Sequence, residues 1–188
     1  MKSFFSIFAS SAQELKRTRC ITVTGILIAA FIVLDLCSIN IGGFIKINFN
    51  FIAIAAVGML FGPVPAMMAG IAGDLIGCIL SGYSPIPLLT CTAALTGLIY
   101  GICLYKKDGM KLVIFSIVSR LIDSVLVSFL LNTAILMYAG QLSKTKEQLY
   151  LRYGSTAAQL VFFIPLIMAV MPSIKVIYEK IVRHKPEM

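Results

Sequence analysis

The sequence predicts an all-α integral membrane protein: one bundle of six transmembrane helices with both ends in the cytoplasm. Three observations predict it. Of 188 residues, 59% are hydrophobic and 13% charged, with a mean hydropathy of +0.96, too few charges to wet the surface of a soluble domain this size. The apolar residues fall into long uncharged runs, the mark of bilayer-spanning helices. The basic residues are distributed unevenly between the two sides that such a bundle would have.

The elements follow in order. Phe4 to Ala9 is apolar but too short to span, and its basic residues (Lys16, Arg17, Arg19) come after it, unlike those of a cleaved signal peptide. An interfacial amphipathic segment is the expectation. The first span runs from about Cys20 to Leu36, and the second from about Phe51 to Phe61. Gly62-Pro63-Val64-Pro65 makes a turn, because proline cannot continue a helix and restricts the residue before it. The third span covers about Ala66 to Ser81, and a break from Gly82 to Pro87 leads to the fourth, about Thr90 to Leu104. A charged turn at Lys106 to Gly109 precedes a long fifth span, about Leu112 to Tyr138, which must tilt or project. A polar segment from Gly140 to Arg152 leads into the sixth span, about Ser155 to Ile174.

The whole chain, 1–188, reads as a single membrane domain. A cytoplasmic or interfacial segment covers 1–19, the bundle about 20–178, and a cytoplasmic tail 179–188. With the N-terminus inside, eleven Lys and Arg residues fall on the inner side. Only Lys46, Lys144, Lys146 and Arg152 fall outside, which orients the bundle N-in and C-in. The net charge of +8 is therefore mainly a topology signal, and no basic stripe interleaved with aromatics points to nucleic acid. The five cysteines form no CxxC pair, and His184 in the tail is the only histidine. The sequence thus offers no metal site, no cofactor site and no intramembrane catalytic dyad, and the chain is not expected to be an enzyme.

Residues on mostly small faces recur at a spacing of four: Gly25 and Ala29 on the first span, Gly70 and Asp74, then Gly73 and Gly77, on the third, and Ala93, Gly97 and Gly101 on the fourth. Such faces let helix backbones approach closely, either inside the bundle or against another membrane subunit. Three ionisable residues stand at membrane depth: Asp74, Arg120 and Asp123. Asp74 and Arg120 share a depth of roughly 13 Å along helices that run the same way, which allows an interhelical pair. Asp123, three residues after Arg120, is the competing partner. Around Arg120 a polar row continues through Ser116, Ser124, Ser128 and Asn132, facing either a neighbouring helix or a cavity.

Ile45 to Phe51 alternates apolar and polar residues, a strand signal rather than a helix signal. An extended flap over a pocket would put Lys46, Asn48 and Asn50 on one side and Phe49 on the other. A plain start to the second helix is the alternative. The turn containing Tyr83 lies on the same outer side, so two irregular segments could close one mouth.

These residues carry a resemblance. The runs from Phe51 to Pro63 (FIAIAAVGMLFGP), Gly70 to Gly77 (GIAGDLIG) and Leu95 to Gly101 (LTGLIYG) resemble the substrate-binding S components of energy-coupling factor (ECF) vitamin importers. Leu131-Asn132-Thr133 and Arg152 make the chain most similar to the folate-specific S component, although its outer turn Gly82 to Pro87 departs from that pattern by carrying a second proline. The resemblance implies a six-helix S-component bundle in a bacterial cell membrane. It implies capture of folate or a related vitamin from outside, and delivery through a transmembrane coupling (T) subunit and two cytoplasmic ATPase subunits. It implies docking on that coupling subunit through Gly25 and Ala29, where family members carry small residues. For a folate, Asn48 and Asn132 suit the donor–acceptor edge of the pterin, Phe49 and Tyr83 its flat face, and Lys46 and Arg152 its anionic tail, with Ser128 beside Asn132 on the polar row. An S component for another vitamin, or a membrane scaffold without a ligand, are the alternative readings.

Overall fold

The computed structural model describes residues 2–41, 45–82, 84–138 and 146–183. Eight α-helices and one short hairpin follow in order. They are α1 (Lys2–Glu14), α2 (Thr18–Leu36), the antiparallel strands β1 (Ile39–Ile41) and β2 (Ile45–Ile47), α3 (Phe51–Phe61), α4 (Pro63–Leu80), α5 (Pro87–Leu104), α6 (Gly109–Ile122), α7 (Asn132–Tyr138) and α8 (Lys146–Arg183). A π-helical stretch, Asp123–Leu131, joins α6 to α7 without a break.

Among the described residues, five helical segments are long and apolar enough to cross a membrane: Thr18–Leu36, Pro63–Leu80, Pro87–Leu104, Gly109–Ile135 and Gln159–Lys180. The expected second span, α3, has 11 residues, about 16 Å at the helical rise. A hydrocarbon core is about 30 Å thick, so α3 fills only about half of it. At 38 residues, α8 is about 57 Å long and outreaches the bilayer.

The surface shows which solvent this fold meets. Phe162 is 78% exposed and Val161 72%, while Ser116, Ser119, Arg120, Asp123, Ser124 and Thr133 are buried. A chain with its polar residues inside and its bulky apolar residues outside is arranged for lipid. Cys37 and Cys91 are exposed, unlike Cys20, so the cysteines are not uniformly interior residues.

Close backbone approach holds the centre together. A Cβ on Gly97 would lie 2.3 Å from the Ala66 carbonyl oxygen, and one on Gly70 2.4 Å from that of Ala93, so α4 and α5 pack with almost no side chain between them. Gly101 likewise meets Pro63, and Gly58 meets Gly101, which brings α3 into the same contact. Nine of the 11 residues of α3 are buried, so it runs through the middle of the bundle. At its end, Gly62 has φ +91°, a conformation that side chains disfavour, and this reverses the chain directly into α4. Ser11 of α1 secures the reversal: its Oγ donates to the Phe61 carbonyl (2.9 Å) and accepts from the Val64 N–H (3.1 Å).

Candidate functional site

The helices alternate in direction, so their contacts sort into two ends and a middle layer. At one end, Tyr178 of α8 meets Phe61 of α3 edge-on (5.9 Å) and lies under the Arg19 guanidinium of α2 (5.0 Å). The hairpin, the start of α5 and the end of the α6–α7 helix gather at the opposite end. Because α3 has only half the length of a span, the chain covers the remaining depth as β2 and the three residues 48–50 that follow it, of which Asn50 already has helical backbone angles. Non-helical backbone at membrane depth persists only where protein buries it or where it lines a wet cavity.

Sequence alternation predicted one extended segment from Ile45, and the structure pairs it with a second strand. Ile39 is opposite Ile47, Asn40 opposite Lys46 and Ile41 opposite Ile45. Asn50, just before α3, donates from Nδ2 to Asp35 Oδ1 near the end of α2 (3.1 Å), which ties the two feet of the hairpin together. Asn48 and Phe49, between hairpin and helix, are half-buried. The Phe49 ring meets Phe163 of α8 edge-on at 5.5 Å, and Phe51 packs on the same Phe163 at 4.9 Å.

Arg120 lies against this aromatic layer. Its guanidinium sits 4.0 Å from the Phe51 ring centroid and 4.9 Å from that of Phe163, and its Nη1 donates to Asp123 Oδ2 at 3.0 Å and to the Tyr100 hydroxyl at 3.4 Å. Asp123 accepts a further bond from Thr96 Oγ1 of α5 (2.8 Å). The charge is thus held by a carboxylate one helical turn away, a phenol and two ring faces. The interhelical pair between Asp74 and Arg120 gives way to the pair within one helix. Equal depth places two residues at one level but says nothing about their direction around the helix axis, and Asp74 instead accepts from Thr90 Oγ1 of α5 (2.8 Å).

Further toward the hairpin end, Asn132 Oδ1 accepts from Thr92 Oγ1 at 2.8 Å. Thr92 and Thr96 are one turn apart on α5, so Thr96–Asp123 and Thr92–Asn132 form two rungs between α5 and the α6–α7 helix. The π-helical stretch lies between these rungs. There the Asn132 N–H donates to the Val127 carbonyl, five residues back. Thr133 Oγ1 donates to the Ser128 carbonyl at the same separation (3.3 Å). Single π segments inside α-helices occur frequently at functional sites. Part of the polar row seen in the sequence therefore serves helix–helix bonding, and Ser128 and Asn132 remain half-buried toward the hairpin end.

Not every expected site residue can be placed. Tyr83 lies outside the described residues, as do the side chains of Lys46 and Arg152, although the backbone of Lys46 belongs to β2 and that of Arg152 to α8. Sequence reasoning passed over Thr90, Thr92, Thr96, Tyr100 and Phe163. The one available signal was the spacing of Thr92 and Thr96 on one face of an otherwise apolar helix. Gly25 and Ala29 are exposed on α2, and among the described residues nothing stands within 4 Å of a Cβ built on Gly25.

Residues 16–178 match the model of a family described as ECF-type riboflavin transporter, S component. Folate transporter FolT of Clostridium novyi (strain NT) is 35% identical over 91 residues, 47% of this chain and 51% of that protein. The chain therefore spans about half the length of the curated relative that it matches. A solved structure described as FolT bound with folic acid superposes with a TM-score of 0.66 at 28% identity, covering 84% of this chain and 91% of the other.

Proposed function

Because this chain belongs to the ECF-type riboflavin transporter S component family, we propose that it captures a vitamin from outside the cell, that the vitamin is a folate, and that it delivers it through a coupling subunit and two ATPases. Membership makes it a multi-pass membrane protein of transport rather than of catalysis. One observation carries the site. A central helix of half length starts at an aromatic layer, Phe49, Phe51 and Phe163, and the hairpin, Asn132 and Ser128 belong to the end of the bundle beyond that layer. A flat ring seated on that layer would stack on aromatic faces while Asn132 and Asn48 meet its polar edge.

The choice of folate rests on the two relatives whose names carry it, against a family description that names riboflavin. Titrating the purified protein with folic acid and with riboflavin decides between them. Folic acid is expected to bind at least tenfold more tightly, and tighter riboflavin binding overturns the assignment. The excess of Lys and Arg on one side supports an N-in, C-in orientation in a bacterial plasma membrane, with the hairpin outward.

Two variants probe the pocket. Phe49→Ala removes one ring from the pair with Phe163, a contact worth about 0.5–1.5 kcal/mol. Stopped-flow dissociation of folate is expected to quicken about three- to tenfold, and an unchanged rate removes the flap. Arg152 is the proposed partner of the folate carboxylates, because a guanidinium holds a carboxylate through two hydrogen bonds. Arg152→Ala is expected to cost about 1.5–3 kcal/mol of folate affinity, one to two decades, and to leave a pterin without the glutamate tail nearly unaffected. Calorimetry on both ligands checks this, and an equal loss for both moves the tail elsewhere.

A further inference from the structure

The turn between α5 and α6 collects basic side chains that neither the vitamin site nor α2 uses. Lys106, Lys107 and Lys111 line a concavity there with Asp108 and Met110. Both adjoining helices belong to segments of membrane-crossing length, so the turn lies at a membrane–water boundary whichever way the chain inserts. A lysine at such a boundary ordinarily extends its ammonium toward water. Two of these fold back instead: Lys107 Nζ sits 4.6 Å from the centroid of the Phe115 ring, and Lys106 Nζ 5.0 Å from that of Tyr105. The backbone of Lys106 has φ +58°, the one positive φ among the described non-glycine residues, so the turn holds a strained shape to present this arrangement. The carboxylate of the concavity is already engaged, since Lys175 of α8 pairs with Asp108 and also donates to the Lys107 carbonyl (2.6 Å). Met110, 79% exposed, brings apolar surface to the rim.

We propose that this concavity binds the phosphate of an anionic phospholipid headgroup, with Lys106, Lys107 and Lys111 as its cationic partners and the lipid chains against Met110. Basic pockets between membrane helices hold anionic headgroups in this way. A free phosphate offers the same charge, but the apolar rim and the boundary position favour the lipid.

Native mass spectrometry of the full chain in detergent, titrated with short-chain phosphatidylglycerol or phosphatidylcholine, tests it. One phosphatidylglycerol is expected to bind in strong preference to phosphatidylcholine. The triple variant Lys106→Ala, Lys107→Ala, Lys111→Ala should lose that affinity by about 100-fold. A control that removes three exposed charges elsewhere, Lys16→Ser, Arg17→Ser and Lys180→Ser, should keep it. Equal binding of the two lipids by the unaltered protein overturns the proposal without reference to any variant. An equal loss in the control makes the attraction a diffuse charge effect and overturns it too. Displacement of the lipid by excess inorganic phosphate would show a soluble-anion site in its place.

Discussion

Asp123→Ala is expected to destabilise the protein by about 3–5 kcal/mol, because it removes the carboxylate from a buried pair and leaves Arg120 charged in the interior. Arg120 is 8% exposed and Asp123 4%, so water cannot take over the lost contact. What remains around the guanidinium is one bond to Tyr100 and two aromatic faces, and Thr96 loses its acceptor. Thermal unfolding of the detergent-solubilised protein should fall by about 10 °C or more. The double variant Arg120→Met, Asp123→Leu separates pair from charge. It should recover most of the loss, since replacing both ions by apolar groups of similar volume is often neutral or stabilising. A double variant no more stable than Asp123→Ala would mean that the site needs the charge itself, for instance as a support for the aromatic layer above it.

The second large effect is on transport. Gly25→Leu is expected to abolish uptake in cells while the isolated protein binds its vitamin unchanged. The α2 face at Gly25 is open, and Ile21, Ile26 and Val33 around it are exposed, so the Cβ of a leucine there meets nothing within 4 Å among the described residues. Replacing glycine in a helix interior should even stabilise the fold by about 0.5–1 kcal/mol. A bulky side chain would still hold a partner helix away from a face whose use depends on close backbone approach. Persisting uptake would move the proposed docking to another surface, and loss of binding would place Gly25 against the pocket.

Hydropathy made the helices legible because lipid selects for long apolar runs, and the Gly-Pro pairing at Gly62 and Pro63 marked the turn between α3 and α4. The first strand of the hairpin escaped notice because Ile39–Ile41 is three residues long, too short for alternation to register. The π-helical stretch was hidden for another reason. Ser116, Arg120, Ser124, Ser128 and Asn132 keep a spacing of four, which fits an α-helix as well as a local widening. Nothing in their side chains announces a hydrogen bond to the fifth residue back. The buried polar residues of the α6–α7 helix were legible in the sequence, but not their pairings. Depth along a helix can be counted from the sequence, whereas the direction a residue faces depends on packing that only the assembled bundle provides. Asp74 and Arg120 show this, as do the threonines of α5, which read as neutral filler until Asp123 and Asn132 are seen opposite them.

The half-length of α3 also bears on how the protein is made. Eleven apolar residues fall well short of the roughly 20 that a segment needs to cross a bilayer alone. During synthesis α3 must therefore enter the membrane together with α4, to which Gly62 directly joins it. It then waits in lipid for the neighbours that will bury it. Phe163, which closes the aromatic layer over Phe51, belongs to α8 and leaves the ribosome after α3 to α7. Until then the proposed pocket is incomplete, so the proposed vitamin binding would report on completed assembly as well as on affinity.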